Sequence, residues 1–188
     1  MIVVKDLTYS VSHRVILDRI HFTIPKGSFV GLLGENGSGK TTLCDLLMGF
    51  KKPASGSIEI MGESPQLDHF QARSKIAYLS EKVDLPGDWS IQDVLEFHSF
   101  FYPNYDRQSE RHFSEIFKLK PNQRVGNLSA GEIRRAQIVA ALSAKPELIL
   151  IDEITAVLDI IGRHRLMQTL KELHKNSNCT LVMATNIL

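Results

Sequence analysis

Residues 34–41 read Gly34-Glu35-Asn36-Gly37-Ser38-Gly39-Lys40-Thr41, a fit to G-x-x-x-x-G-K-[ST] without a mismatch. Glycines at this spacing let a loop wrap so that successive backbone N–H groups point at phosphate oxygens, and a following helix adds the positive end of its dipole. Both flanks suit the pattern: "FVGLL" before it is apolar and strand-like, and "TTLCDLLMG" after it is helical. Lys40 is placed for the β and γ phosphates of a nucleotide and Thr41 for Mg2+ through its hydroxyl. The nucleotide-binding candidates run from Gly34 through Thr42. A merely flexible turn does not require the spacing, the lysine, the threonine and both flanks together.

A phosphate loop alone does not separate GTPases, kinases and ATPase motors. Further along, "LILIDE" (Leu148–Glu153) narrows the choice. Four apolar residues predict a buried strand, and Asp152 at its C-terminal end suits the shell of Mg2+ through water. Glu153, one residue later, is placed to polarise an attacking water.

Outward from these motifs, the coarse pattern is α/β. "IVVKDLTYS" and "HFTIPKGSFVGLLG" read as strands broken at Pro25-Lys26-Gly27, and "KPASGSIEIMGE" as a turn and a short strand ending at Gly62. From Ser90 the spacing of Ile91, Val94, Leu95, His98 and Phe101 predicts an amphipathic helix, with Ser90 and Asp93 as a capping box. Further helices are expected over about 109–119, over "IRRAQIVAALSA" and over about 159–174, with "CTLVMAT" as a last strand. The division that follows is one domain, 1–188, with a core lobe of 1–81 and 143–188 and a helical sub-lobe of 82–142.

The 188-residue length and 43% hydrophobic content allow a substantial core. A net charge of +1 provides no global field for nucleic acid or an anionic surface. Two cysteines without a Cys-x-x-Cys pair suit a reducing compartment. The N-terminus lacks the layout of a signal peptide, and the apolar runs fall short of the roughly 20 residues a membrane helix needs. The expectation is a cytoplasmic protein, with any membrane crossing done by another chain.

Together these motifs resemble the ATP-binding cassette ATPases, the nucleotide-binding subunits of ABC transporters, nearly from end to end. The discriminating stretch is Leu128-Ser129-Ala130-Gly131-Glu132, similar to the family signature Leu-Ser-Gly-Gly-Gln, with Ala130 for the first Gly and Glu132 for Gln. It precedes a helix containing Arg134 and Arg135, as in the family. The resemblance implies a P-loop core with a parallel sheet, an N-terminal antiparallel β subdomain and a helical signature subdomain. It also implies two domains packed head to tail, with Ser129 and the N–H of Gly131 completing the partner's phosphate cradle. "AVLD", ending at Asp159, resembles the loop that crosses that interface, with Ile154 in place of the usual proline.

By the same resemblance Glu81 stands at the family's metal-touching glutamine, where a carboxylate still ligates a hard cation. Glutamate there is also similar to small ATP-binding subunits of bacterial ABC-2-type exporters. The aromatic residues just beyond, among them Trp89, Phe97, Phe101 and Tyr102, include candidates for a groove that receives a coupling helix of a membrane subunit. Val11 falls where the family stacks an aromatic ring on adenine, with Tyr9 and His13 as neighbours. Asn186 falls on the family's switch histidine, and an amide there cannot carry a positive charge.

The implied function is a Mg2+-dependent ATPase subunit that dimerises around ATP and drives a separate transmembrane permease, without nucleic acid, at the inner face of the membrane. Turnover is expected to be slow because of Asn186. The alternatives are a hydrolysis-impaired, ATP-dependent dimerisation module, half of a heterodimer, and a soluble, non-transport ABC ATPase.

Overall fold

A computed structural model describes residues 1–66, 71–80, 84–153 and 158–186. Two sheets form its frame. In the first, β1 (Ile2–Val11) lies between β2 (Arg14–Ile24) and β4 (Ser55–Ile60), antiparallel to both. Ser12 and His13 join β1 to β2 with φ of 44° and 71°, the left-handed pair that a two-residue hairpin requires.

The second sheet is parallel, in the order β3 (Phe29–Leu33), β7 (Thr180–Thr185), β6 (Leu148–Asp152), β5 (Ile76–Leu79). Strand β6 is buried along its whole length, so both of its faces must be covered and its sequence reads as an unbroken apolar run rather than an alternation.

One face of β6 and β7 (Leu148, Leu150, Val182) meets Leu43, Leu46 and Leu47 of α1 (Lys40–Leu47), whose other side packs under Ile2, Val4, Ile58 and Ile60 of the antiparallel sheet. Helix α1 is thus clamped between the two sheets. The opposite face (Ile149, Ile151, Leu181, Met183) joins a second core with Ile138, Val139 and Leu142 of α4 (Ala130–Ser143) and Leu166 and Leu170 of α5 (Ile160–Ser177). Helices α2 (Ile91–Ser99) and α3 (Arg107–Ile116) pack on α4, away from the sheet.

The capping box expected at Ser90 and Asp93 is present: Asp93 N donates to Ser90 Oγ at 3.1 Å and Ser90 N to Asp93 Oδ2 at 2.8 Å. Several boundaries differ from the sequence reading. Strand β2 begins at Arg14 rather than near His21, because Asp18-Arg19, which breaks the apolar pattern, sits at an irregularity where Arg19 has φ 45°. Phe101 lies beyond α2, which ends at Ser99. Helix α3 starts at Arg107, since Asp106 caps it by accepting from Gln108 N, and it ends before Lys118, whose φ of 54° departs from the helix. Strand β5 was not anticipated; four residues are too few to show a period.

Candidate functional site

Between β3 and α1 the glycine-rich loop closes on itself, with Ser38 N donating to Glu35 O at 3.2 Å. Gly39 caps α1 at φ 96°, a left-handed backbone that favours glycine. Lys40 follows, buried to 8% exposure. Its Nζ donates to Gly34 O at 2.8 Å and Glu35 O at 2.9 Å and pairs with Glu153 Oε1 at 2.9 Å. Over this cluster opens a cavity of about 400 Å³, lined by Ile16 and Glu153 as well as by Asn36, Gly37, Gly39, Lys40, Thr41 and Thr42.

Glu153 reaches Lys40 through an unusual backbone. Its N–H extends the ladder by donating to Ala184 O at 3.1 Å, while its φ of 48° turns the chain out of the sheet, a conformation that costs a non-glycine residue free energy. Asp152, one residue earlier, is wholly buried at the end of β6. Tyr78 of β5 is in register with Leu150, two residues before Asp152 on β6. Burial pushes the Tyr78 phenol well above its usual range, reinforced by negative charge from Asp152 and Asp45. Burial first, then Asp152 and Asp45, pushes the Cys44 thiol up as well.

The oxygen donors of Thr41 and Asp152 suit a hard cation such as Mg2+. Among the described residues no group of three or more His, Cys, Asp or Glu could hold a metal. Glu81 lies outside the described residues, although Arg134 of α4 donates to the carbonyl of Ser80 just before it.

Asn186, exposed at the end of β7, donates from Nδ2 to Asn36 Oδ1 at 3.0 Å. The fold therefore carries Asn186 onto the glycine-rich loop. Val11, the last residue of β1, is half exposed and does not line the cavity; Ile16, which the sequence reading passed over, does. Tyr9 is engaged elsewhere, its ring centroid 5.9 Å from Lys51 Nζ.

Ser129 is the N-cap of α4. Glu132 N donates to Ser129 Oγ at 3.3 Å, and Glu132 Oε2 accepts from Ser129 N at 2.9 Å and from Ser129 Oγ at 2.8 Å. These bonds hold the Glu132 carboxyl below its usual range. Leu128 is half-buried, and Ser129 and Ala130 are exposed ahead of Gly131. They are not part of the cavity at Lys40. Asp159 caps α5, accepting from Gly162 N at 2.6 Å, and the loop before it, 154–157, lies outside the described residues.

The family model described as ABC transporter matches residues 17–156, spanning the glycine-rich loop, the Ser129 cap and the Asp152-Glu153 pair. The chain belongs to the ABC transporter family. This ABC cassette is 31% identical over 199 residues to the ergothioneine transport ATP-binding protein EgtV of Helicobacter pylori (strain G27), covering 99% of the chain and 90% of EgtV. It is 33% identical over 209 residues to the energy-coupling factor transporter ATP-binding protein EcfA1 of Mycoplasmopsis pulmonis (strain UAB CTIP), covering 99% and 74%.

Among solved structures, the cassette superimposes with a TM-score of 0.87 at 26% identity on MJ0796 in a dimeric post-hydrolysis state bound to ADP and Pi, covering all of this chain and 88% of that one. The TM-score is 0.78 at 25% identity for cbiO1 from Clostridium perfringens, part of the ABC transporter complex cbiONQ, covering 99% and 78%. The antiparallel sheet, parallel sheet and surrounding helices are the architecture of ABC ATPases.

Proposed function

We propose that this ABC cassette is the Mg2+-dependent ATPase subunit of a transporter, hydrolysing ATP at the Lys40 cavity. The observation that carries the reading is the 2.9 Å ion pair between Lys40 and Glu153, which joins the phosphate-binding cation and the candidate base at one opening. A triphosphate entering the loop replaces Glu153 and the two carbonyls as the partner of Lys40, and the freed carboxylate faces the end of the nucleotide. Glu153 then takes a proton from the water that attacks the γ-phosphorus, while the bond to the β–γ bridging oxygen breaks and ADP leaves. Thr41 and Asp152, with Glu81, would hold Mg2+, which when bound neutralises charge on the phosphates.

In the same reading a second ATP-binding subunit supplies Ser129 and the Gly131 N–H to the nucleotide from across an interface that includes Asp159. The helical part, 82–142, carries this signature, and 1–81 with 143–188 forms the nucleotide-binding lobe. A second, larger cavity of about 790 Å³, lined by Met48, Phe50, Tyr78, Phe101 and Tyr102 among others, has exposed aromatic walls: Phe50 is 61% and Phe101 59% exposed. It is the surface we assign to a coupling helix of a membrane permease, in line with the naming of cbiO1 as part of a larger complex. Among the described residues no helix is long and apolar enough to cross a membrane. The subunit would act at the cytoplasmic face.

Asn186 favours a second reading, a dimerisation module with little turnover, because its amide is neutral. Steady-state phosphate release separates the two. Active parent protein is expected, with Glu153→Gln slower by about a hundredfold or more, nucleotide affinity retained, and a dimer accumulating with Mg2+-ATP. Equal rates for parent and variant would remove Glu153 from the reaction.

A further inference from the structure

The N-terminus of α4 carries a negative charge where a phosphate is assigned to bind. Ser129, the N-cap, has one hydroxyl proton and one N–H to give. Both go to the same acceptor: Ser129 Oγ donates to Glu132 Oε2 at 2.8 Å, and Ser129 N donates to that oxygen at 2.9 Å. Glu132 N in turn donates to Ser129 Oγ at 3.3 Å, which closes a capping box. The bonds from Ser129 hold the Glu132 carboxyl below its usual range, so it is ionised at neutral pH. An ionised carboxylate accepts hydrogen bonds and has no proton to offer. Arg135, three residues further along α4, offsets part of the charge.

Resting on the reading that a second subunit presents its nucleotide to Ser129, we propose that Glu132 is an internal competitor for that nucleotide and sets how tightly two subunits close around it. The partner's γ-phosphate and the Glu132 carboxylate need the same hydroxyl proton. Only one of them can take it. Either the carboxylate turns aside and releases Ser129 to the phosphate, or it stays and the phosphate goes without that bond. In both cases a negative side chain remains close to a negative ligand, and like charges brought together in a closing interface oppose it. The dimer therefore forms around nucleotide only at a higher protein concentration than the same fold with a neutral side chain at this position. Glu132→Gln is the change that isolates the effect, because an amide oxygen still serves the capping box while the charge is gone.

The test is sedimentation of the full chain with Mg2+ and AMP-PNP, a non-hydrolysable ATP analogue, over a range of protein concentrations at about 0.05 M and about 0.5 M salt. At low salt Glu132→Gln should lower the concentration at which half the chains are dimeric by about tenfold or more. The gap between parent and variant should narrow at high salt, where charges at a surface are screened. A change in the helix cap alone would not follow salt in this way. Ser129→Ala removes the contested proton, so in that background Glu132→Gln should gain less than it does in the parent.

Equal dimerisation of the parent and Glu132→Gln overturns the proposal. So does a gain that high salt leaves intact, the mark of an altered cap rather than a lost charge. A full gain in the Ser129→Ala background takes the hydroxyl out of the account and overturns the competition. A parent and variant that both stay monomeric at every concentration with Mg2+ and AMP-PNP overturn the reading of the interface, and this proposal with it.

Discussion

Asn186 touches the glycine-rich loop with a neutral amide, and that fact sets an expectation for rate. Its bond to Asn36 holds the end of β7 against the loop, so the side chain stands beside the cavity into which Lys40 and Glu153 point. Charge-assisted hydrogen bonds are about twice as strong as neutral ones, and losing a donor aimed at a transition state costs on the order of a hundred- to a thousandfold at preorganised sites. Asn186→His should therefore raise phosphate release about tenfold or more with little change in ATP affinity, measured by steady-state release and calorimetry. A variant no faster than the parent would place Asn186 in a structural role, as the clasp on Asn36.

At the scale of elements, α2 carries a group whose burial makes the fold sensitive to acid. His98 stacks on Tyr102 with centroids 4.6 Å apart and planes 15° apart, and burial lowers its pKa from 6.5 to about 4. Between these values the unfolded chain binds the proton and the folded one does not, so stability is full above the unfolded pKa and falls as pH drops toward the folded one. Urea titrations at about pH 7 and about pH 5 should differ by about 2 kcal/mol, and His98→Phe should remove most of that difference; an unchanged difference would assign the acid sensitivity to other groups.

The elements also show what a sequence conveys. Strands β6 and β7 were legible because burial on both faces demands an uninterrupted apolar run, and the loop at Gly34–Thr41 because its chemistry fixes residue types at fixed spacing. The meeting of Asn186 with Asn36 was legible only through resemblance, since nothing local in either stretch encodes a contact 150 positions apart. The pairing of Tyr78 with Leu150 was not legible at all: it depends on the parallel register of β5 with β6, which packing on both faces decides.

For the whole molecule, the parallel sheet is a shared wall. Helix α1, which follows the glycine-rich loop, belongs to the core between the sheets, and the helix that Ser129 caps belongs to the core on the other side. Each core has a buried cysteine beside or within it: Cys44 lies on α1, and Cys179, at the foot of β7, packs with α4 and α5. Burial pushes both thiols up, Cys179 to about 12 and Cys44 beyond its usual range. Because the thiolate is the reactive form, each sulfur should react with a thiol reagent only when its own surroundings open. Labelling followed by peptide mass spectrometry should show Mg2+-ATP slowing Cys44 more than Cys179, since Cys44 is one helical turn from Lys40; equal slowing would mean that the two sides open as one. The two sulfur atoms thus act as built-in chemical clocks, one on each side of the wall, timing how nucleotide tightens each half of the protein.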